Sequence, residues 1–167
     1  IVFRTTAQNT QMIFEKGDNL NNATVRGTSL FLDSVNVNHA SRVDYASGGQ
    51  FASVNTAMPG APATVVVVAE TDTASHSRRI YLNGAATPVQ TLGPHPETAI
   101  GGDSPFYLGA RILKAIPFNG YIAELGMGTA ILSTTDRQKV EGYLAHKWGT
   151  TASLPAGHPY KSTAPVL

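Results

Sequence analysis

The residues best spaced for acid–base chemistry are Glu70 and Asp72, which lie two positions apart on the chain. Side chains with that spacing on a strand project from the same face, so both carboxylates would be presented together. Paired carboxylates are the groups that hydrolyse glycosidic bonds in most glycoside hydrolases. However, this pair falls where an apolar strand enters the polar run 73–76. We interpret it as part of a solvated turn and not as a catalytic pair.

Other signatures of catalysis are missing from the sequence. It contains no Gly-x-Ser-x-Gly, no Walker loop and no His-Glu-x-x-His, and its five histidines are scattered. Gly101 and Gly102 are not followed by the lysine and helix that a phosphate-binding loop needs. The sequence therefore predicts a protein that is not an enzyme.

Sugar recognition needs an aromatic platform for the C–H faces of the ring and planar polar side chains for its hydroxyls. Several residues of these types lie in or near the expected strands. Candidate ligand-binding residues are Asn38, Arg42, Tyr45, Phe51, Tyr107 and Arg111. The alternative is that Tyr45 and Tyr107 are ordinary half-buried strand residues.

These side chains would be positioned by strands separated by turn residues. The run of four valines from Val65 to Val68 predicts a central strand buried on both faces. Asn83-Gly84 predicts a hairpin, and a second hairpin-type pair is expected around residues 36–38. The other strands are expected at residues 11–16, 29–33, 41–45, 79–82, 88–92, 106–111 and 121–125, with residues 92–104 forming a long surface loop.

The chain's clearest helix signal follows the last strand. Thr134 or Thr135 is the expected N-cap, and Gly149 suits a C-terminal position in the left-handed region. One helical face carries Val140, Tyr143, Leu144 and Trp148, so the helix is expected to bury that face with Trp148 as a core residue. Glu124 lies in the preceding apolar strand, and a buried carboxylate there would need Arg111 or Lys147 as a partner.

The C-terminal stretch resembles the closing segment of laminin-G-like, concanavalin A-like jelly-roll domains of bacterial and phage surface proteins. In those domains a Gly-x-Ile-Ala-Glu strand leads through a helix to Tyr-Leu-x-x-Lys-Trp-Gly and Leu-Pro-x-x-His-Pro-Tyr. Segments 80–84 and 105–111 also resemble the family. The matching residues of the closing segment are Gly120, Ile122, Ala123, Glu124, Tyr143, Leu144, Lys147, Trp148, Gly149, Leu154, Pro155, His158, Pro159 and Tyr160.

The resemblance implies an all-β, concanavalin A-like jelly-roll β-sandwich of two antiparallel sheets with one short C-terminal helix. Glucanases of this superfamily carry a third carboxylate after the first pair, and this chain has none at that place. Many related sandwiches bind Ca²⁺ through loop oxygens. The resemblance thus makes Asp18, Asn19, Asp72 and Asp103 candidate calcium ligands, although each is also an ordinary turn former.

Length and charge narrow the function further. The chain has 167 residues, which predicts one domain, residues 1–167, and its start inside a strand is expected of a processed or longer protein. A net charge of +1 with 14% charged residues gives no field for nucleic acid, and no segment predicts membrane insertion. Cysteine is absent, which excludes disulfides and thiolate metal sites.

Two functions remain after these exclusions. The first is a non-catalytic module that binds glycan or surface polysaccharide in an extracellular, cell-surface or virion-exterior setting. The second is a structural or assembly protein, such as a virion decoration or fibre protein or a filament subunit, with other protein subunits as partners. A homo-oligomer completed by strand exchange at the N-terminus would fit the second function.

Overall fold

The computed structural model describes residues 1–16, 27–43, 50–72, 74–75, 77–92, 105–111 and 114–166. Within these ranges the chain forms ten strands, one α-helix and a 3₁₀ turn at Thr151–Ser153. The elements are β1 (Val2–Thr5), β2 (Gln11–Lys16), β3 (Gly27–Asp33), β4 (Asn36–Val43), β5 (Gln50–Ala57), β6 (Ala63–Asp72), β7 (Ser77–Leu82), β8 (Gln90–Leu92), β9 (Phe106–Leu108), β10 (Gly120–Glu124) and α1 (Thr134–Lys147).

The strands form two five-stranded antiparallel sheets, which confirms the predicted β-sandwich. The first sheet has the order β10-β1-β6-β7-β8, and the second has the order β5-β4-β3-β2-β9. We call them sheet 1 and sheet 2. The main core lies between them and combines residues of both sheets. Its buried members are Phe3, Ile13, Phe14, Leu30, Leu32, Val37, Val54, Val65, Val67 and Ile80.

Strand β6 is buried on both faces, as the valine run predicts. Val65 and Val67 belong to the core between the sheets, whereas Val66 belongs to a second cluster with Val2 and Leu144 of α1. Successive strand residues point to opposite faces, so one valine run supplies both cores. The helix therefore forms a third layer on the outer face of sheet 1.

The N-terminal strand is provided by this chain itself. Strand β1 lies between β10 and β6 and pairs with both, with Phe3 opposite Ile122 on one side and Val65 on the other. Among the described strands, the place that strand exchange would fill is thus occupied by β1.

Two details of the strand prediction are wrong. The hairpin between β3 and β4 turns at Ser34 and Val35, with Ser34 at φ 47°, and Asn36 begins β4 instead of forming the turn. Strand β5 is absent from the prediction because its sequence, QFASVNTA, has little apolar alternation. The Asn83-Gly84 hairpin is confirmed, since both residues have positive φ and β7 pairs with β8.

The helix differs from expectation at its start and in its buried face. Ser133 is the N-cap, and its hydroxyl accepts a hydrogen bond from the Asp136 amide at 3.1 Å. The buried side chains of α1 include Arg137 and Glu141 beside Leu144 and Ala145. Trp148 is not a core residue: it is 39% exposed. The predicted buried face was wrong because it was inferred from apolar residues alone. Arg137 and Glu141 form a buried ion pair at helix positions that the apolar periodicity assigns to the solvent-exposed face.

The segment after α1 returns onto the helix and the β7–β8 hairpin, and two glycines allow the contact. A Cβ on Gly142 would lie 2.4 Å from the Cβ of Tyr160, and a Cβ on Gly84 would lie 2.6 Å from Leu154 Cδ2. The predicted anchoring of this segment by His158 and Tyr160 is confirmed, because His158 is 5% exposed and the Tyr160 carbonyl contacts His146 Nε2 at 2.9 Å.

Because Tyr160 packs directly against Gly142, we expect Gly142→Ala to destabilise the protein, although a glycine-to-alanine substitution within a helix usually stabilises it. In an unconstrained helix, Gly142→Ala would stabilise by about 1 kcal/mol through helix propensity. Here the methyl group collides with Tyr160, so we expect a loss of about 1–3 kcal/mol in urea denaturation. In a Tyr160→Gly background the same substitution should become neutral or stabilising. Stabilisation by Gly142→Ala in the original background would show that the tail does not pack there.

Candidate functional site

The described part of the predicted sugar site lies at the β2–β9 corner of sheet 2. Tyr107 on β9 is the ladder partner of Glu15 on β2. Arg111 follows in the next turn, with its Nε 3.5 Å from Glu15 Oε1. Tyr107, Arg111 and Glu15 therefore form one cluster, which we call the corner cluster.

The turn after β9 is what brings Arg111 back to β2. Gly109 has φ +75°, a conformation that glycine adopts without strain, and its amide donates to the Ile13 carbonyl at 2.8 Å. The Arg111 amide donates to the Ala115 carbonyl at 2.9 Å, and the Phe118 amide donates to the Gly109 carbonyl at 2.8 Å. These bonds close a compact loop whose arginine lies over the sheet edge.

The corner cluster combines a buried acid with a partly exposed base. Glu15 is 8% exposed, whereas the Arg111 side chain keeps 21% of its surface in solvent. The Arg111 Nε has no hydrogen-bond partner among the described residues, because its contact with Glu15 is an ion pair and not a well-directed hydrogen bond. The ion pair with Glu15 thus positions the guanidinium at the edge of sheet 2, and part of the arginine side chain remains in solvent.

Phe106 and Leu108 flank Tyr107 along β9, and because successive strand residues alternate, they belong to the opposite face of the strand from the Tyr107–Glu15 pair. Phe106 stacks on Phe14 with ring centroids 5.6 Å apart and remains 40% exposed. Leu108 is 51% exposed, and Tyr107 between them is half-buried. Tyr107 can be both a half-buried strand residue and a ligand-binding residue, because a sugar can pack on the exposed part of its ring.

The other predicted ligands belong to the opposite side of sheet 2. Arg42 and Phe51 are ladder partners across β4 and β5, although their side chains are outside the described residues, as is Tyr45 altogether. Asn38 is only 3% exposed, so its side chain offers little surface to a ligand. Since adjacent strands lie about 4.8 Å apart, β9 and β4 are separated by about 14 Å.

Calcium receives no support from the one candidate ligand that the structure describes. Both carboxylate oxygens of Asp72 are used within its own turn, where they accept from the amides of Ala74 and Ser75 and from the Ser75 hydroxyl at 3.0, 3.2 and 2.6 Å. These bonds confirm the turn-forming role of Asp72. Asp18, Asn19 and Asp103 lie outside the described residues. Across those that are described, no three His, Cys, Asp or Glu side chains are grouped as metal ligands would be.

The Glu70 carboxylate is not in a solvated turn, contrary to the prediction. It is 8% exposed, lies 3.8 Å from the Arg79 guanidinium, and is covered on the α1 side of sheet 1. Burial raises the pKa of Glu70, and the charge of Arg79 opposes that rise. A substrate could not reach this carboxylate, so Glu70 and Asp72 do not form a hydrolytic pair.

Below α1 the structure holds an ionic cluster that the sequence did not reveal. Arg137 Nη1 donates to both oxygens of Glu141 at 2.7 and 2.8 Å, and the guanidinium carbon lies 3.8 Å from the centroid of the Tyr81 ring. His158 Nε2 is 3.6 Å from Glu141 Oε2. His158 Nδ1 accepts from the Tyr160 amide at 3.2 Å, so the neutral imidazole carries its proton on Nε2, facing Glu141.

Comparison with known proteins supports the fold. The family model described as the concanavalin A-like lectin/glucanases superfamily matches residues 1–136. The match includes the N-terminal strands and ends inside α1, so the closing signature from Tyr143 to Tyr160 stays a prediction. No curated protein sequence matches the chain significantly. Within the described residues, no helix has the length and apolar character that crossing a bilayer requires.

Solved structures with a similar fold are carbohydrate-binding modules. The CBM40 module of the Ruminococcus gnavus IT-sialidase has a TM-score of 0.64 at 19% identity, covering 81% of this chain and 77% of that one. The same module bound to α2,3-sialyllactose has a TM-score of 0.62 at 20% identity, with coverages of 81% and 77%. Its α2,6-sialyllactose complex has a TM-score of 0.54 at 19% identity, with coverages of 72% and 69%.

The buried ionic cluster predicts a pH dependence of stability. Burial raises the pKa of Glu141 from 4.5 to about 7, with Arg137 opposing the rise. The folded protein therefore holds a proton that the unfolded chain has lost between these values, and stability falls as the pH rises from 4.5 to about 7. His158 acts in the opposite direction, because burial lowers its pKa below 6.5 and stability falls as it becomes protonated.

Glu141→Gln isolates the carboxylate contribution, since glutamine does not titrate. We expect the stability of the original protein relative to this variant to fall as the pH is raised across that window, as measured by urea denaturation. Glu124→Gln is the matched control: hydrogen bonding from Trp148 and then Lys147 lowers the pKa of Glu124, so its contribution should be lost as the pH falls. Parallel pH profiles for the original protein and Glu141→Gln would contradict the assignment.

Proposed function

Because the chain belongs to the concanavalin A-like lectin/glucanase superfamily, we propose that it is a non-catalytic glycan-binding module. The observation that carries the proposal is the corner cluster, where an arginine that is held by an ion pair and keeps 21% of its side-chain surface in solvent lies beside a partly exposed tyrosine. Guanidinium groups bind hydroxyl and carboxylate oxygens in a planar, directional way. Aromatic rings bind the C–H faces of sugars. Both kinds of contact meet at this corner.

Burial of Glu15 contributes to this recognition by fixing the arginine. A guanidinium held by a buried carboxylate loses less side-chain entropy on binding than a free surface arginine. The cluster is thereby prepared for its ligand before binding. A solvent-exposed Arg–Glu pair would have to be reordered at each encounter.

Acidic glycans are the ligands that the arginine favours. The similar CBM40 module of the Ruminococcus gnavus IT-sialidase binds α2,3- and α2,6-sialyllactose, in which the terminal sugar carries a carboxylate. A carboxylate on the glycan would take the outer N–H groups of Arg111 while Glu15 holds the inner side. The remaining sugar rings would extend along sheet 2 towards β4 and β5, where Arg42 and Phe51 are ladder partners.

Hydrolysis is not part of the proposed function. The spaced carboxylates, Glu70 and Asp72, are respectively buried under α1 and engaged in a turn. We place the module in an extracellular, cell-surface or virion-exterior setting because that is where a glycan-binding module would meet surface polysaccharides. The assembly function loses its main argument, because β1 already fills the strand position that a neighbouring copy was expected to fill.

Binding to 3′-sialyllactose, 6′-sialyllactose and lactose by isothermal titration calorimetry tests the proposal. We expect the sialylated sugars to bind more tightly than lactose, and Arg111→Lys to weaken their binding at least tenfold, about 1.4 kcal/mol. Lysine keeps the charge beside Glu15 and the fold, but it lacks the planar fork.

Arg4→Ala is the matched control for charge. Arg4 is an exposed residue on β1 of sheet 1, so this substitution lowers the net positive charge away from the corner cluster. It should leave the affinity unchanged. An equal loss in Arg4→Ala would show that the effect of Arg111→Lys is not specific to the corner cluster, and no binding to any of the three sugars, with a monodisperse oligomer in light scattering, would favour the assembly function.

A further inference from the structure

The sole tryptophan of the chain is displayed at the surface. Trp148 lies at the C-terminal end of α1, is 39% exposed, and donates from Nε1 to Glu124 Oε2 at 2.8 Å. Gly149 follows in the left-handed conformation, with φ +69°, which turns the chain away from the helix directly after the indole. The ring is therefore fixed in orientation by a charge-assisted hydrogen bond while a large part of it stays in water.

An irregularity of β10 brings Glu124 to this side of the sheet. In the β1–β10 ladder Phe3 is opposite Ile122, but Val2 is opposite Glu124, so Ala123 is an extra residue. Such a bulge re-aims the side chains that follow it. Ile122 packs in the core between the sheets, and one bulge later Glu124 reaches the end of α1 on the outer face.

Polar groups are arranged around the indole. Lys147 Nζ lies 3.0 Å from Glu124 Oε2 and donates to the Tyr143 hydroxyl at 2.9 Å. The same ammonium lies 5.2 Å from the centroid of the Tyr143 ring and 5.6 Å from that of Trp148. We call these four residues, Glu124, Tyr143, Lys147 and Trp148, the indole cluster.

The indole cluster retains hydrogen-bonding capacity. Within the described residues, both contacts to Glu124 use Oε2, which leaves Oε1 as an acceptor. Lys147 has three ammonium protons and uses two, and the Tyr143 hydroxyl, having accepted from Lys147, can still donate. An acceptor and two donors thus lie beside a partly exposed indole, which are the elements that a sugar ring requires.

From this geometry we infer that the indole cluster is a second saccharide-binding site, and that its ligand is an uncharged pyranose residue. The charges of Glu124 and Lys147 compensate each other, and Tyr143 and Trp148 are neutral, so the cluster has no net charge to favour an acidic sugar. The sugar would lay its C–H face on the indole, with its hydroxyls shared among Glu124 Oε1, Lys147 and Tyr143.

The site is separate from the corner cluster. The indole cluster lies on the α1 side of sheet 1, whereas Tyr107 and Glu15 belong to sheet 2. The two sites also differ in electrostatic character, since the corner cluster offers an arginine to an acidic ligand. Loss of one site should leave the other functional, so the two proposals can fail independently.

Intrinsic fluorescence reports on this site directly, because Trp148 is the only tryptophan of the chain. The probes are cellotetraose, maltotetraose and mannotetraose, with 3′-sialyllactose for comparison. We expect at least one neutral tetrasaccharide to change the emission of Trp148 in a saturable way, and Arg111→Lys to leave that response unchanged. Unchanged emission with all three neutral probes up to their solubility limits would overturn the proposal.

Substitutions separate binding from the structural role of the indole. Tyr143→Phe removes one hydroxyl and keeps the ring, so the affinity should fall several-fold while the midpoint of thermal unfolding stays nearly constant. Trp148→Ala should abolish the calorimetric signal of the same sugar; if that variant does not fold, Trp148→Phe should weaken the binding instead. Full affinity in Tyr143→Phe and in the folded tryptophan variant would assign the cluster a structural role alone and overturn the inference.

Discussion

The layer that completes this sandwich depends on the hydrogen bonding of one buried guanidinium. Arg137 is 2% exposed, and a charge at that depth is tolerated only when its N–H groups and its charge are matched. Its Nη1 donates to Glu141 and to the Ala85 carbonyl at 3.0 Å, and its Nη2 donates to the Ala86 carbonyl at 3.2 Å. One side chain of α1 is thereby tied to the loop between β7 and β8.

Glu141 extends the same constraint to the C-terminal tail. Its second oxygen faces His158. The His158 ring in turn packs so close to Gly84 that a side chain at residue 84 would collide with the ring. The helix, the hairpin and the tail must therefore be in place together, since each supplies a group that another leaves unsatisfied. The apolar cluster of Val2, Val66 and Leu144 contributes burial to this layer, while the ionic contacts define which helix residues point inward.

The sequence predicts well what depends on apolar periodicity and turn chemistry. The valine run of β6, the Asn83-Gly84 turn and the glycine at the end of α1 are local signals, and the structure contains all three. The resemblance in the closing segment led to the correct fold class. The sequence indicates part of the corner cluster. The residue types of Tyr107 and Arg111 make them candidate ligand-binding residues, but no local pattern indicates that Glu15 is buried beside Arg111.

The features that the sequence could not predict depend on contacts between residues that are distant along the chain. Arg137 and Glu141 look like solvent-facing helix residues until Tyr81 and the Ala85 carbonyl are placed beside them. Trp148 looks like a core residue because a large apolar side chain on an apolar stripe usually is one. Its hydrogen-bond partner Glu124 follows a bulge at Ala123, which no local pattern of β10 indicates. The partner of Glu124 was predicted only as one of two basic residues, and Lys147 is the one that binds it.

The superfamily match ends at residue 136, in the first turn of α1. This end lies one residue before Arg137, so the matched region leaves out the side chains that attach α1 to the β7–β8 hairpin. A chain cut at that boundary would keep every described strand yet uncover Val66, Glu70 and Tyr81 on the outer face of sheet 1. The helix and the tail therefore keep from water both apolar and charged groups that the outer face of sheet 1 would otherwise expose.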